Sequence, residues 1–324
     1  MHLTRRRFMG SALAAGASVA APSLARAAAP TQRIGGAAFG TNWQLTAPAG
    51  IRIGRLRPLV EAVVADVDIM MSPWRRDSGI ARFNGAQDTA WFPVHPDIAS
   101  VAQAALRLQE ASGGVFDPTV GPMVGRWGFG PISAPMPPRG SRVAVQEDAL
   151  RKTQPAMTLD LCGIAKGFAV DRIAGALRGE GAEAFVIDLG GEIAAHGSHP
   201  SGRAWQVGVE DPRQGWNGAA EILALRGKAV ATSGDKVNGF SLGGRRYGHI
   251  IDPSRGSPVE GAASSVSVIA DDAMSADGWA TALVAAGPRG PQLAELNGLH
   301  ALFLFDEGED LRRVATGRFD VHLA

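Results

Sequence analysis

Between residues 184 and 270 the chain breaks into eight short apolar or alternating segments, at 184–189, 193–197, 204–210, 220–226, 228–233, 239–243, 246–251 and 264–270, separated by turn-forming residues. Segments of this length and patterning read as strands. The helical patterns do not alternate with them. Apolar residues recur at helical spacing over 54–70 (Leu56, Leu59, Val60, Val63, Val64, Val67), over 96–111 (Ile98, Val101, Ala105, Leu108), from about Ile164 to Leu177, and over 273–286. This order predicts an α+β fold and not a doubly wound sheet. No GxGxxG motif follows a strand, which leaves the Rossmann type with weak support. Further strands are expected at 34–46, 157–161, 300–305 and 311–315, with Gly243-Gly244 as a hairpin turn. The Pro-, Gly- and Ser-rich stretch 130–142 reads as a loop or linker that can separate two subdomains.

The first 27 residues stand apart. Thr4-Arg5-Arg6-Arg7-Phe8-Met9 precedes a weakly apolar Ala/Gly/Leu run from Ser11 to Leu24, and Ala25-Arg26-Ala27 follows as a small-x-small cleavage site. This predicts a twin-arginine signal over 1–27, export to the periplasm, and a mature domain over 28–324. The run is too short and too rich in Ala and Gly to predict a spanning helix, so no stable membrane insertion of the mature chain is expected. Removing it takes away four arginines and no acids, leaving 28 basic and 31 acidic residues and a net charge of −3. No basic field remains that would argue for nucleic acid. The single cysteine, Cys162, excludes an intramolecular disulfide and reads as a small buried filler.

Five segments carry more chemistry than a structural chain needs. Trp74 lies among polar residues in Met71–Ser78, with Arg82-Phe83-Asn84 following. It is either a surface Trp at a helix stop or an aromatic face for a planar ring. Gly113–Pro122 surrounds Val115, Phe116 and Asp117 with Gly and Pro, which gives either an ordinary turn or a shaped backbone with exposed polar groups. Leu159–Gly167 leads through Asp160 and a Gly turn into a helix N-terminus, which attracts phosphate through free N–H groups and the helix dipole, and Lys166 adds a point charge. It lacks the GxxxxGK[ST] spacing of a P-loop. His249 near Asp252 is either a general base with its orienter or a locally satisfied histidine. Asp277 and Thr281, at i and i+4 on one helix face, offer two hard oxygens suited to Mg²⁺; a helix-terminal acid alone would read the same way.

Taken together and in order, these segments resemble the ApbE family, the FAD:protein FMN transferases. The resemblance runs from Phe39-Gly40-Thr41 to about Leu283 and rests on MSxW…DSxIxRFN, FDPTVGP, LDLxGIAKGxAVD, LGGEI (Leu189–Ile193), ATSGD (Ala231–Asp235), HIIDP and ADxxATAL. It implies an ApbE-like (T-fold-like) α+β fold with mixed sheets and helices around one FAD site. It also implies Mg²⁺ at the diphosphate and an acceptor protein carrying a Ser or Thr flavinylation site. Trp74 matches the aromatic that stacks on the isoalloxazine. Phe116 and Asp117 match the segment holding FAD, with Phe39, Val115 and Ile251 as further contact positions. Asp160 and Lys166 match positions touching the nucleotide. Gly163 matches a backbone carbonyl ligand of the metal, and Asp277 and Thr281 match its side-chain ligands. His249 matches the residue that activates the acceptor hydroxyl. Ala280 stands where some members have a further acid, and Cys162 where many have Gly or Ser. The exported, cysteine-poor character also resembles members serving nitrous oxide reductase maturation. The rival readings are a metal-dependent FAD pyrophosphatase and a non-enzymatic periplasmic flavin-binding protein.

Overall fold

The computed structural model describes residues 30–324 except Arg139, Val237 and Gly244. The expected signal segment 1–27 and Gly244 of the Gly243-Gly244 turn lie outside the described residues. The chain opens with the hairpin β1 (Thr31–Ala38) and β2 (Thr41–Pro48), followed by α1 (Arg57–Met71), α2 (Gly79–Gly85), β3 (Phe92–Pro93), α3 (Pro96–Ala111) and α4 (Gly121–Arg126). Next come β4 (Val143–Val145), β5 (Ala149–Lys152), α5 (Cys162–Gly179), β6 (Phe185–Leu189), β7 (Glu192–His196), β8 (Trp205–Glu210), β9 (Ala219–Leu225) and β10 (Lys228–Gly234). The remainder is β11 (Gly239–Leu242), β12 (Arg245–Gly248), β13 (Ile251–Asp252), β14 (Ser257–Pro258), β15 (Ser265–Ala270), α6 (Ala273–Ala285), α7 (Gly290–Leu296), β16 (His300–Glu307) and β17 (Asp310–Thr316).

Eight strands form one antiparallel sheet in the order β1-β2-β6-β7-β10-β15-β16-β17. Its central strands are buried on both faces, so their side chains divide by the two-residue period of a strand. Val266, Val268, Ala301 and Phe303 point to the side covered by α6, where Leu283 and Val284 meet them. Ile269, Leu302 and Leu304 point to the other side, onto Trp205 of β8, Leu223 and Leu225 of β9, and Phe319. A third cluster joins Trp43 and Leu45 of β2, Ile187 and Leu189 of β6, and the buried faces of α1, α3 and α5. The α+β expectation holds. No helix among the described residues is long and apolar enough to cross a membrane.

Several local expectations are corrected. The strand expected over 34–46 is a hairpin, turned at Phe39 (φ 49°) and Gly40 (φ 74°). Residues 157–161 are not a strand. Their backbone is held by a side chain instead: Asn84 Nδ2 donates to the Leu159 carbonyl and its Oδ1 accepts from the Leu159 N–H, both at 2.8 Å. Nearby, the buried Lys152 ammonium donates to the carbonyls of Phe83, Asn84 and Met157, each at 3.2 Å. Two of these bonds add a donor to the Phe83 and Asn84 carbonyls in the last turn of α2. The strand expected over 246–251 breaks at His249-Ile250, between β12 and β13. The 130–142 loop separates no subdomains, because β3 before it pairs with β5 after it in one small sheet. The small sheet and helices α2, α4 and α7 went unexpected.

The crossing of α5 over α6 is set by glycine. A Cβ on Gly167 would lie 2.2 Å from the Ala273 carbonyl oxygen and 2.7 Å from Met274 Cα, so only hydrogen fits there. The start of α6 is pinned at that crossing by two carboxylates. Asp171 of α5 accepts the N–H groups of Ala273 and Met274, each at 2.8 Å, and Asp272 accepts those of Ser275 (N–H 2.7 Å, hydroxyl 2.9 Å). Burial pushes the Asp171 carboxyl up to about 6, with the two N–H groups pulling the other way.

Gly167→Ala is expected to destabilise the fold by about 2 kcal/mol or more, because backbone must move to admit the methyl group. Denaturant titration measures this, and an unchanged midpoint would refute the close crossing. Asp171 titrates higher in the folded than in the unfolded chain. Its contribution is therefore fully present below about pH 4 and is lost as pH rises through about 6. Thermal melts from pH 4 to 7 should show this decline in the parent and a flatter profile in Asp171→Asn; parallel profiles would contradict it.

Candidate functional site

A cleft of about 590 Å³ opens at the end of the sheet, where the β6–β7 turn, the end of β10 and the N-terminal turn of α5 meet α6. Trp74, Val115, Phe116, Asp117, Asp160, Gly163, Lys166, His249, Ile251, Asp277 and Thr281 all line it, although they come from segments far apart in the chain. Phe39 does not line it; it sits in the β1–β2 turn and packs partly buried against the main core.

Each lining residue is held by its own local structure. Gly113 and Gly114 take left-handed φ values of 67° and 84°, which turns the chain from α3 into the cleft wall. Phe116 is 5% exposed, and its N–H donates to Ser112 Oγ at 3.1 Å. Asp117 Oδ1 accepts the N–H and hydroxyl of Thr119 at 2.8 and 2.7 Å. Trp74 is 65% exposed, which leaves its ring faces open to a partner. Asp160 Oδ1 accepts the Cys162 N–H at 3.0 Å and so caps the first turn of α5. Gly163 lies flush against α6: a Cβ there would meet Thr281 Cγ2 at 3.0 Å and Phe116 Cε2 at 3.2 Å.

Cys162, expected as a buried filler, is an exposed residue lining the cleft. The surrounding protein, then the Asp160 carboxylate, push its pKa well above the usual thiol range, so it stays protonated.

Charge is concentrated where α5, α6 and β7 converge. Asp277 is 2% exposed, and its Oδ2 accepts the Gly167 N–H at 2.9 Å across the helix crossing. Burial raises its pKa, against the pull of Lys166 and of that N–H group. Thr281, one turn later, has its hydroxyl 3.3 Å from Ser233 Oγ at the end of β10. Lys166 Nζ lies 2.7 Å from Glu192 Oε1. Burial lowers the Lys166 pKa, but Glu192 and Asp277 outweigh it, so the ammonium stays charged.

The expected pairing of His249 with Asp252 is not formed. Asp252 accepts from the Ser254 N–H and hydroxyl at 2.8 and 2.6 Å and pairs with Arg255 at 3.6 Å. His249 Nδ1 instead lies 3.2 Å from the Asn238 carbonyl oxygen. A carbonyl only accepts, so this contact sets Nδ1–H as donor and leaves Nε2 with its lone pair. Burial lowers the His249 pKa and favours the neutral ring. Phe129 packs edge-on against the imidazole at 6.4 Å between ring centres, and Phe240, Tyr247 and Trp127 continue the stack.

Residues missed from the sequence include Asp188, Thr232, Ser233, Lys236 and Ser265, all on the cleft wall. The LGGEI and ATSGD motifs contain or adjoin the first four of these; Ser265 lies outside both. Nothing in their spacing showed which side chains face the cleft.

Among the described residues no group of three or more His, Cys, Asp or Glu is placed to hold a metal ion. Asp277 and Thr281, beside the close-fitting Gly163 turn, are a smaller oxygen set. It fits a cation that keeps water and takes further ligands from phosphate.

Scaffold and cleft together give an α+β fold with a large, polar-floored cleft. The ApbE family pattern matches residues 39–303. An FAD:protein FMN transferase of Klebsiella pneumoniae is 29% identical over 344 aligned positions, covering 100% of this chain and 98% of that protein. The structure of the flavin transferase ApbE from Vibrio cholerae is similar with a TM-score of 0.80 at 31% identity, covering 91% of this chain and 100% of the other. That of the Pseudomonas stutzeri flavinyl transferase ApbE, in its apo form, gives 0.79 at 32%, covering 90% and 96%. The chain belongs to the ApbE family.

Proposed function

We propose that this chain is a divalent-metal-dependent FAD:protein FMN transferase, moving FMN from FAD to a Ser or Thr hydroxyl of an acceptor protein and releasing AMP. The observation that carries the reading is the convergence of Gly163, Lys166, Asp277 and Thr281 at one α5–α6 crossing, within a cleft that also holds Trp74 and His249. The twin-arginine pattern ahead of residue 28 supports export to the periplasm, and residues 28–324 make up the transferase domain.

In this reading the isoalloxazine stacks on Trp74, and the wall from Val115 to Asp117, with Ile251, holds the flavin nucleotide. Asp160 and Lys166 bind the nucleotide, with Lys166 opposing diphosphate charge. Asp277, Thr281 and the Gly163 carbonyl would hold Mg²⁺. When bound, the cation neutralises the diphosphate and polarises the bond that breaks. His249, oriented through Nδ1–H by the Asn238 carbonyl, takes the acceptor hydroxyl proton at Nε2. The hydroxyl oxygen attacks the FMN phosphorus, the bond to the bridging oxygen breaks, and that oxygen leaves with AMP.

Incubation with FAD, Mg²⁺ and an acceptor protein is expected to add one FMN to the acceptor by mass spectrometry. Asp277→Ala, or the parent chain in EDTA, is expected to abolish the addition. AMP and free FMN formed without acceptor would instead establish a pyrophosphatase, and FAD binding with no turnover under any condition would establish a binding protein.

The lowered His249 pKa sets the acid limb of transfer. A base must be neutral to act, so kcat is expected to fall only below about pH 6.5, as the imidazole protonates. His249→Ala should lose that limb and most of kcat while keeping FAD affinity. An unchanged acid limb in the variant would remove the base role, and a parallel collapse of FAD binding would make His249 structural.

A further inference from the structure

The Lys166–Glu192 contact is not accounted for by the scheme above. Glu192 is the first residue of β7, in register with Leu189 of β6 on one side and Ala231 of β10 on the other, so it sits inside the eight-stranded sheet. It is 1% exposed. Its Oε1 accepts from Lys166 Nζ at 2.7 Å, and its Oε2 has no hydrogen-bond partner. A chain that needed only to fill this space would be better served by an apolar side chain or a neutral amide, since an under-satisfied buried carboxylate is costly. The position of Glu192 is also rigid. The preceding Gly190 and Gly191 adopt φ values of 67° and 104°, and the Gly191 N–H donates to Asp188 Oδ1 at 3.0 Å.

The two lysines on the cleft wall differ in what remains of their donors. Lys236 Nζ is used up by Glu210 Oε1 at 2.5 Å and by the carbonyls of Asp211 and Trp216 at 2.8 and 2.9 Å. Among the described residues Lys166 has Glu192 as its one hydrogen-bond partner, and its side chain is 34% exposed toward the cleft. An ammonium carries three N–H donors on a flexible stem, so two remain. Left unanchored, that stem would sample many rotamers; tied at one donor to the sheet, it points the other two in a fixed direction.

We propose that Glu192 is a positioning residue for the transfer reaction: its buried carboxylate anchors the Lys166 ammonium to the central sheet, so that the remaining Lys166 donors face the diphosphate oxygens of FAD. This rests on the reading of the cleft as the FAD site. Glu192 itself touches no substrate. Glu192→Gln keeps the shape and one acceptor oxygen but removes the charge that holds the ammonium in place. Its effect should pass entirely through Lys166.

The test is a double-mutant cycle of parent, Glu192→Gln, Lys166→Met and the double variant. The readouts are kcat and KM for FAD in transfer to an acceptor protein, ADP affinity by calorimetry in Mg²⁺, and the melting temperature. Glu192→Gln is expected to lower kcat/KM and ADP affinity by about tenfold, with no loss in melting temperature. The double variant is expected to match Lys166→Met in both quantities. Unchanged kcat/KM and ADP affinity in Glu192→Gln would overturn the proposal, as would losses in the double variant that multiply fully. Should Glu192→Gln alone melt early, Lys166→Met against the double variant decides: equal kcat/KM and ADP affinity support the anchor, and a further drop overturns it. The calorimetric arm does not depend on turnover. A parent chain that binds ADP but transfers no FMN therefore strikes the functional reading, while the anchor is still judged on ADP affinity.

Discussion

Everything in the cleft depends on how closely α5 and α6 cross. Gly167 lets the Ala273 carbonyl approach to a distance that excludes any side chain, and across the same gap Asp277 accepts the Gly167 N–H. That bond ties a buried carboxylate to the neighbouring helix backbone and so fixes its direction. It also brings Thr281 against Gly163, where a Cβ would press on Thr281 and Phe116. The geometry of the oxygen set thus comes from helix packing, which is stiffer than a loop.

The floor of the cleft is polar at depth, which proteins avoid unless function requires it. Burial raises the carboxyls of Glu192 and Asp277 above their ordinary range, and the Lys166 ammonium between them pulls both back toward the charged form. Two carboxylates share one ammonium, a balance that favours a further positive charge at this point. Around this floor the surfaces are more ordinary: Asp160 caps a helix turn, Asp117 closes a tight turn, and the aromatic stack from Trp127 to Phe129 backs the imidazole. These contacts give several motif residues a structural role alongside any contact with the nucleotide.

Helices with a clean apolar stripe were legible from sequence. Ile98, Val101, Ala105 and Leu108 are buried along α3, as their spacing predicts. The turn at Phe39-Gly40 was not, because a phenylalanine at positive φ carries no turn signature of the Asn-Gly kind. The run 157–161 reads as a strand because it is short and largely apolar; its backbone is held instead by an asparagine side chain from α2. His249 and Asp252 are neighbours in sequence, but the break between β12 and β13 sends the carboxylate to Ser254 and the imidazole to a carbonyl on another segment. Glu192 was visible only as part of LGGEI. Its burial follows from β7 lying between β6 and β10, a pairing that spacing along the chain does not reveal. The cleft residues lie far apart in sequence, so their meeting was expected from family resemblance and not from periodicity.

The central claim is that the α5–α6 crossing presents a cation site to the diphosphate of FAD. Its most direct measurement is a diffraction experiment on crystals grown with FAD and Mn²⁺, with the metal located by its anomalous signal. The account predicts one Mn²⁺ peak within bonding distance of the Asp277 carboxylate, the Thr281 hydroxyl and the Gly163 carbonyl, touching the phosphates of FAD laid along the cleft. FAD bound in the cleft with its phosphates away from that crossing, or Mn²⁺ seated on other residues, would contradict it.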